Sequence, residues 1–257
     1  MQKDGKYVYC IIATSYECNF GPIGIGGRGD LVNSIGFDGL SMVVSDHPLN
    51  HFVLNPENIL AHQKVIEAVM SLFNSVIPVR FGTVAATPDE IRNLLDRRYS
   101  ELSELLERFE NKVEYNIKGS WRNMGVVYKE IDKENKELKK LRSKIENLND
   151  EKKRNILIEE AGHFIEEAVQ KKKEIETEEI ITAFRKTVVA YKNNRTTGEA
   201  MFMNTAFLIN KGREVEFDNI LTALGERFKD RSDYYCTGPL PIFNFIDLRI
   251  LPEKWEL

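Results

Sequence analysis

Cysteine is scarce: Cys10, Cys18 and Cys236 are the only three in 257 residues. An odd count at these spacings fits neither a disulfide framework nor a zinc site, so a reducing compartment is expected. Long apolar runs are also missing. The stretch around "YVYCIIA" is far shorter than the ~20 residues that span a bilayer, and no signal-peptide cleavage pattern follows it. No membrane partner and an intracellular product are therefore expected. Positive charge is not in excess either, since 36 Lys+Arg against 40 Asp+Glu leave a formal net charge of -4. That removes the broad cationic field that nucleic acid would require. No Ser-His-Asp or Cys-His set has a spacing that marks a nucleophile and its base, and none of the many carboxylates is marked as half of a working pair.

What is present is material for packed cores: 42% of residues are hydrophobic and 30% charged. "KYVYCIIA" is apolar on both strand faces and reads as a central strand covered on each side. Asp38-Gly39, between two short apolar runs, marks a hairpin. Asn55-Pro56-Glu57 is a helix start, and Ile59, Ile66, Val69, Met70 and Phe73 then recur at helical spacing. "VIPVRFG" follows as a strand whose Pro78 cannot donate to a ladder, which argues for an edge or a bulge. Thr87-Pro88-Asp89-Glu90 is a capping box, opening a helix with the stripe Ile91, Leu94, Leu95, Leu102, Leu105, Leu106 and Phe109. "KVEYNIK" alternates, placing Val113, Tyr115 and Ile117 on one face and Lys112, Glu114, Asn116 and Lys118 on a wet one. Residues 1–121 thus read as an α+β domain, one mostly antiparallel sheet with two helices on one face.

The composition then changes. From about Val126 to Lys192 roughly half the residues are charged and proline is absent. Ile131, Leu138, Leu141, Ile145 and Leu148 follow a heptad seam, interrupted at "NLNDEKKRN", and a second helical run carries Ile158, Ala161, Ile165, Ala168, Ile175, Ile180, Phe184 and Val188. Narrow stripes of this kind are buried only against one another, so a charged helical hairpin over about 126–192 is expected, with a dimerising coiled coil as the other option. The remainder of 122–257 reads as a smaller α+β unit: "MFMNTAFLI" as a buried strand, "EFDNILTALGERF" as a helix, and "YYCTGPLPIFNFIDLRI" as strands. Thr237–Pro241 would be a fixed crossing between two of those strands, with Ile246, Leu248 and Ile250 in the core of the second domain.

Two features suggest chemistry. Gly24, Gly26 and Gly29 spell GxGxxG, yet a phosphate cradle needs a strand leading in and a helix following, and here Asp30 and a hairpin follow, so a linker is the better reading. Arg28-Gly29-Asp30 is read only as a tripeptide of that loop. His47, His51 and His62 fall near Asp46 and Glu57, but no pair sits at i, i+4 on a helix, and Pro48 and Pro56 intervene, so no metal is expected. His62 is expected to make a buried or interfacial hydrogen bond, and His163 to be solvated. No catalytic, cofactor-binding or metal-ligating residue is assigned, and no cofactor.

"GKYVYCII", "LAHQKVIEAVM" followed by "IPVRFGTV", "KVEYNIKGSW", "MNTAFLINKGREVEFD" and "YYCTGPLPIFNFIDL" occur in that order, and together they resemble the GvpF/GvpL family of gas vesicle proteins. The resemblance spans nearly the whole chain, with "PVRFGT" and "TGPLPIFNFID" as its most distinctive blocks. It implies a two-domain α+β fold with a ferredoxin-like first domain, and an accessory or minor structural role in gas vesicles. It also implies contacts with the shell protein GvpA and with other accessory gas vesicle proteins, and it carries over no catalytic residue. The alternative is a nucleotide- or metal-dependent enzyme or switch using the Gly24–Gly29 loop.

These readings separate in a melting experiment. A ligand at a hundred times its dissociation constant adds about 2.7 kcal/mol of stability. We expect ATP, GTP and divalent metal ions to leave the thermal unfolding curve unchanged, and a rise with any of them would favour the switch.

Overall fold

The computed structural model describes residues 4–27, 29–48 and 54–250. Two compact units emerge, and chain order does not divide them. The first takes the described residues of Met1–Glu114 and Gly238–Leu257 together with Leu208–Lys211. The second takes Tyr115–Phe207 and Gly212–Thr237.

In the first unit β1 (Asp4–Ala13), β2 (Asn19–Gly21), β3 (Val32–Phe37), β4 (Leu40–Pro48), β5 (Val76–Pro78) and β6 (Val84–Ala85) form one sheet. Their order is β2-β3-β4-β1-β5, with β6 also on β1. The pairs β1/β4, β1/β5, β2/β3 and β3/β4 are all antiparallel. The β3–β4 hairpin turns where expected: Phe37 pairs with Leu40, and Asp38 and Gly39 both have positive φ, 44° and 84°. That geometry suits the right-handed twist of the flanking strands. Pro78 ends β5, the edge strand, where its missing N–H costs no ladder bond.

α1 (Pro56–Met70), capped by the Asn55 side chain on the Asn58 amide, lies against β1 and β5. It adds Val65, Ile66 and Val69 to a core with Tyr7, Tyr9, Cys10, Ile12 and Val43. The intervening strand residues Val8, Ile11 and Met42 are equally buried but belong to the opposite face. α2 (Pro88–Arg97) packs on β3, β4 and β6 and α3 (Tyr99–Arg108) on β1 and β5, through Ile91, Leu95 and Leu102. Helices thus cover both faces of the sheet, which corrects the expected one-sided packing, because β1 is apolar on both faces and cannot leave one wet. The single helix expected from Ile91 to Phe109 is two, broken at Arg98. At its start Thr87 accepts from the Glu90 amide at 3.2 Å, while the Glu90 carboxylate accepts from the Ala86 amide at 2.7 Å.

The second sheet contains β7 (Lys112–Trp121), β8 (Val188–Asn193), β9 (Met201–Asn210) and β10 (Ser232–Leu240) in the order β10-β7-β9-β8. Between β7 and β8 run α4 (Met124–Glu134), α5 (Lys136–Glu146) and α6 (Glu151–Phe184), and α7 (Glu214–Arg227) joins β9 to β10. The path is β-α-β-β-α-β, the split-βαβ connectivity. It falls in the second unit, whereas the first sheet has three strand-to-strand steps before its first helix. This corrects the expectation for residues 1–121. The hairpin also changes in detail. Asn135 ends α4 and caps α5, accepting from the amides of Glu137 and Leu138, so the arm has three helices. α6 stops at Phe184, and Val188 starts a strand, as its β-branched and aromatic neighbours Val189 and Tyr191 favour.

Under the second sheet Phe184, Phe207 and Phe217 meet with ring centroids 4.6 to 5.7 Å apart. Tyr115 joins Phe217 at 5.1 Å. The final segment is the largest correction. Residues 241–250 form no strand, and Ile242, Leu248 and Ile250 are buried in the first unit rather than the second. Glu114, expected on a wet face, is only 2% exposed. It explains the placement, since its carboxylate accepts from the Asn244 amide at 3.0 Å and side chain at 2.6 Å.

Where α6 leaves the sheet, Arg231 holds two carboxylates. It donates to Glu130 of α4 at 2.8 and 2.9 Å and to Glu176 of α6 at 2.6 and 3.1 Å. Trp121 Nε1 donates to the same Glu176 at 2.7 Å, and Lys172 approaches Glu130 at 2.9 Å. The Arg231 hydrogen bond holds Glu130 down at about 2, against the usual 4.5. Removing one partner strands the others. The Arg231 side chain keeps 27% exposure, so Arg231→Ala is expected to cost about 2 kcal/mol rather than the 3–5 of a fully buried pair, measured by chemical denaturation.

His62 gives a pH prediction. Its Nδ1 meets the Tyr7 hydroxyl at 2.9 Å and its Nε2 the Val79 carbonyl at 3.1 Å. Burial pushes its pKa from 6.5 down to about 4. The unfolded chain therefore takes up a proton, as pH falls below 6.5, that the folded chain refuses. Stability present above pH 6.5 is lost between 6.5 and 4, by up to roughly 3 kcal/mol. Denaturation midpoints of the parent chain should fall between pH 7.5 and 5.5, and those of His62→Phe should fall much less.

Candidate interaction surfaces

α6 is 34 residues long, about 50 Å at 1.5 Å per residue, and only its last part lies on a sheet. Val169, Thr177, Ile180, Ile181 and Phe184 are buried there. The proximal half pairs instead with α4 and α5, whose Val127, Ile131, Leu138 and Leu141 supply the opposing apolar stripe. Asp150 starts α6, its carboxylate accepting from the amides of Lys152 and Lys153. The charged residues face outward, with Lys140 on Glu137 at 2.9 Å and His163 beside Glu166 at 3.8 Å.

The three stripes do not close completely. Between α4, α5 and α6 lies a groove of about 810 Å³, walled by Tyr128, Ile131, Leu138, Ile145, Ile158 and Ile165. Arg142 and Glu146 stand on its rim. Ile156, Ile158 and Ile175 are 63%, 50% and 59% exposed. Ile158 lines that groove, whereas Ile156 and Ile175 line separate depressions of the arm, and the groove is the candidate interaction surface.

The Gly24–Gly29 loop is built differently from a phosphate cradle. It joins β2 to β3, and no helix follows it. The Gly24 amide donates to the Asp30 carbonyl at 3.0 Å, and the Ile25 amide to the buried Tyr9 hydroxyl at 2.7 Å. Ile25 is fully buried and plugs the core. A Cβ at Gly24 would stand 2.8 Å from the Asp30 carbonyl oxygen, which accounts for that glycine. Gly26 and Gly29 are in the left-handed region, φ 92° and 71°. Arg28 lies outside the described residues.

His47 and His62 are both buried, and each has a protein partner: His47 Nδ1 contacts the Pro48 carbonyl at 2.9 Å, and His62 has the two contacts given above. His51 lies outside the described residues. Among the described residues no group of three or more His, Cys, Asp and Glu side chains is placed to hold a metal. Burial pushes the Cys10 thiol far up and the Cys236 thiol to about 11, away from thiolate chemistry at neutral pH. No helix among the described residues is long and apolar enough to cross a membrane.

The residues that sequence reasoning missed are polar ones inside the fold: Glu114, Glu176, Arg231 and Lys173. Composition alone places such side chains outside. Arg231, just before a strand beginning, and Glu176, one position from the apolar stripe of α6, carry only faint signals.

A family model described as gas vesicle synthesis protein GvpL/GvpF matches residues 5–247. Gas vesicle protein F of Microcystis aeruginosa (strain PCC 7806) is 29% identical over 209 residues, covering 78% of this chain and 81% of that protein. Gas vesicle protein F of Streptomyces sp. (strain CB03234) is 26% identical over 246 residues, covering 94% and 99%. The crystal structure of GvpF from Microcystis aeruginosa matches with a TM-score of 0.77 at 26% identity, over 95% of this chain and 99% of that one. That of GvpF from Anabaena sp. PCC7120 matches at 0.78 and 21% identity, over 96% and 100%, and shows the same mixed α/β fold. With the family model reaching from Gly5 to Asp247, the chain belongs to the GvpL/GvpF family of gas vesicle synthesis proteins.

Proposed function

We propose that this protein is a non-enzymatic accessory or minor structural component of gas vesicles that acts in their assembly by binding the shell protein GvpA and other accessory gas vesicle proteins. Its place of work is the gas vesicle inside the cell, and its second unit is the ferredoxin-like one. The observation that carries this reading is the helical arm, where an apolar groove and the exposed Ile156, Ile158 and Ile165 sit among interspersed charges. A shell-building protein has to be kept from indiscriminate association, and an apolar surface ringed by both signs of charge offers such a partner a reversible seat. Nothing in the geometry of the Gly24–Gly29 loop favours the nucleotide-switch alternative.

Deleting the gene in a gas-vesicle-forming host is expected to abolish vesicles or reduce their number, and normal vesicles in normal number would overturn the reading. The arm has its own test. Ile158→Glu combined with Ile165→Glu changes exposed positions, so melting should move little. Recovery of GvpA with the tagged chain should fall about tenfold or more, a loss of ~1.4 kcal/mol.

A further inference from the structure

The heptad seam of the arm is closed within the chain, α6 against α4 and α5, so the groove beside it is a further face. Along α4 and α5 its edge carries, from the sheet towards the tip, Lys129, Asp132, Arg142 and Glu146. The signs alternate and sum to zero, so this edge selects neither an acidic nor a basic partner. Read from the tip back, each sign is reversed: the edge is the complement of its own antiparallel copy.

The α6 wall has the same symmetry. Ile158 and Ile165 stand about two turns apart on it, 50% and 36% exposed, with Ala161 and Gly162 midway. Turned about that midpoint, Ile158 falls on Ile165, and the small pair lies where two helices would cross. Gly162 is exposed, and a Cβ on it would meet no other element within 4 Å. Nothing within one copy uses this glycine, although it weakens the helix relative to alanine. The midpoints of the two walls are also level. Leu138, near the middle of the four charges, lies about 12 Å from the tip end of α5, and Ala161 about 15 Å from that of α6. One two-fold axis therefore serves both walls.

We propose that the groove seats the groove of a second copy, the two arms packing antiparallel about a two-fold axis. Ile158 of each copy lies against Ile165 of the other, and Lys129 against Glu146. Lys129 and Glu146 are exposed and have no ion partner among the described residues. Arg142 and Asp132, 3.3 Å apart within one chain and exposed, join the same two residues of the other copy in a ring of alternating charge. The proposal rests on the groove being an interaction surface, and gives it an occupant that competes with the shell protein.

The test is sedimentation equilibrium of the full chain, without shell protein, from about 1 to 500 μM. The mass should rise from the 29.7 kDa of one chain towards twice that, with a Kd of about 100 μM or tighter. Lys129→Glu sets like charges together at both ends of the contact, and so does Glu146→Lys. Each should weaken pairing about tenfold or more. An equimolar mixture of the two restores both opposite-sign contacts in a heterodimer, and the double variant restores them in a homodimer. Both should return to within about threefold of the parent. Gly162→Leu, which favours the helix, should keep or raise the melting temperature and prevent pairing. A mass that stays at one chain up to about 500 μM, a mixture no tighter than either single variant, or a dimer that Gly162→Leu leaves intact would overturn the proposal. Any of these leaves the shell-protein reading to its own recovery experiment, and a failure there leaves the pairing standing.

Discussion

Arg231 fixes the point from which the second unit is organised. Its guanidinium spans Glu130 on α4 and Glu176 on α6, and Trp121, at the end of β7, shares Glu176 with it. The neighbouring β7 and α4 are thereby tied to α6 and to the segment before β10, both distant in sequence. Below that point α6 is a sheet-covering helix; above it the same helix is one rod of a three-helix arm. A planar, permanently charged group that grips two carboxylates through paired bonds is suited to this, because it sets orientation as well as distance. Hydrocarbon packing would hold the helices together with less control over rotation.

The two ends of α6 illustrate how one helix serves two purposes. Ile180, Ile181 and Phe184 are committed to the aromatic cluster with Phe207 and Phe217. The proximal half is only partly matched by α4 and α5, which leaves its isoleucines over the groove. The fold thus separates a rigid, well-packed base from an arm whose apolar surface exceeds what its own neighbours cover. That division fits a protein whose partners are other proteins.

Local chemistry was legible in the sequence wherever neighbours in the chain are neighbours in space. Asp38-Gly39, Asn55-Pro56, Thr87-Pro88 and the apolar run of β1 gave their elements correctly, because turn dihedrals, caps and burial on both faces are properties of short stretches. Asn135 was a readable cap, overlooked because the heptad seam runs through it. Non-local choices were hidden. Glu114 occupies a polar position in clean alternation, and only the arrival of Asn244, 130 residues later, makes it an inside residue. The last segment failed for the same reason: alternation of Ile246, Leu248 and Ile250 suggests a strand, but which unit they cover depends on where the chain returns. The candidate surfaces divide likewise. The isoleucines of α6 are legible as an apolar stripe, but that Ile158, Ile165 and Ile175 stay exposed, where burial against a neighbouring helix was expected, depends on how incompletely α4, α5 and α6 close on one another.

Gly162 stands near the middle of the proximal half of α6, exposed and with open space where a Cβ would be. No turn or close approach within one copy requires it, and relative to alanine it weakens a helix by about 1 kcal/mol. The proximal half of α6 therefore carries one turn of lower intrinsic helix stability, well before the Glu176 that Arg231 holds.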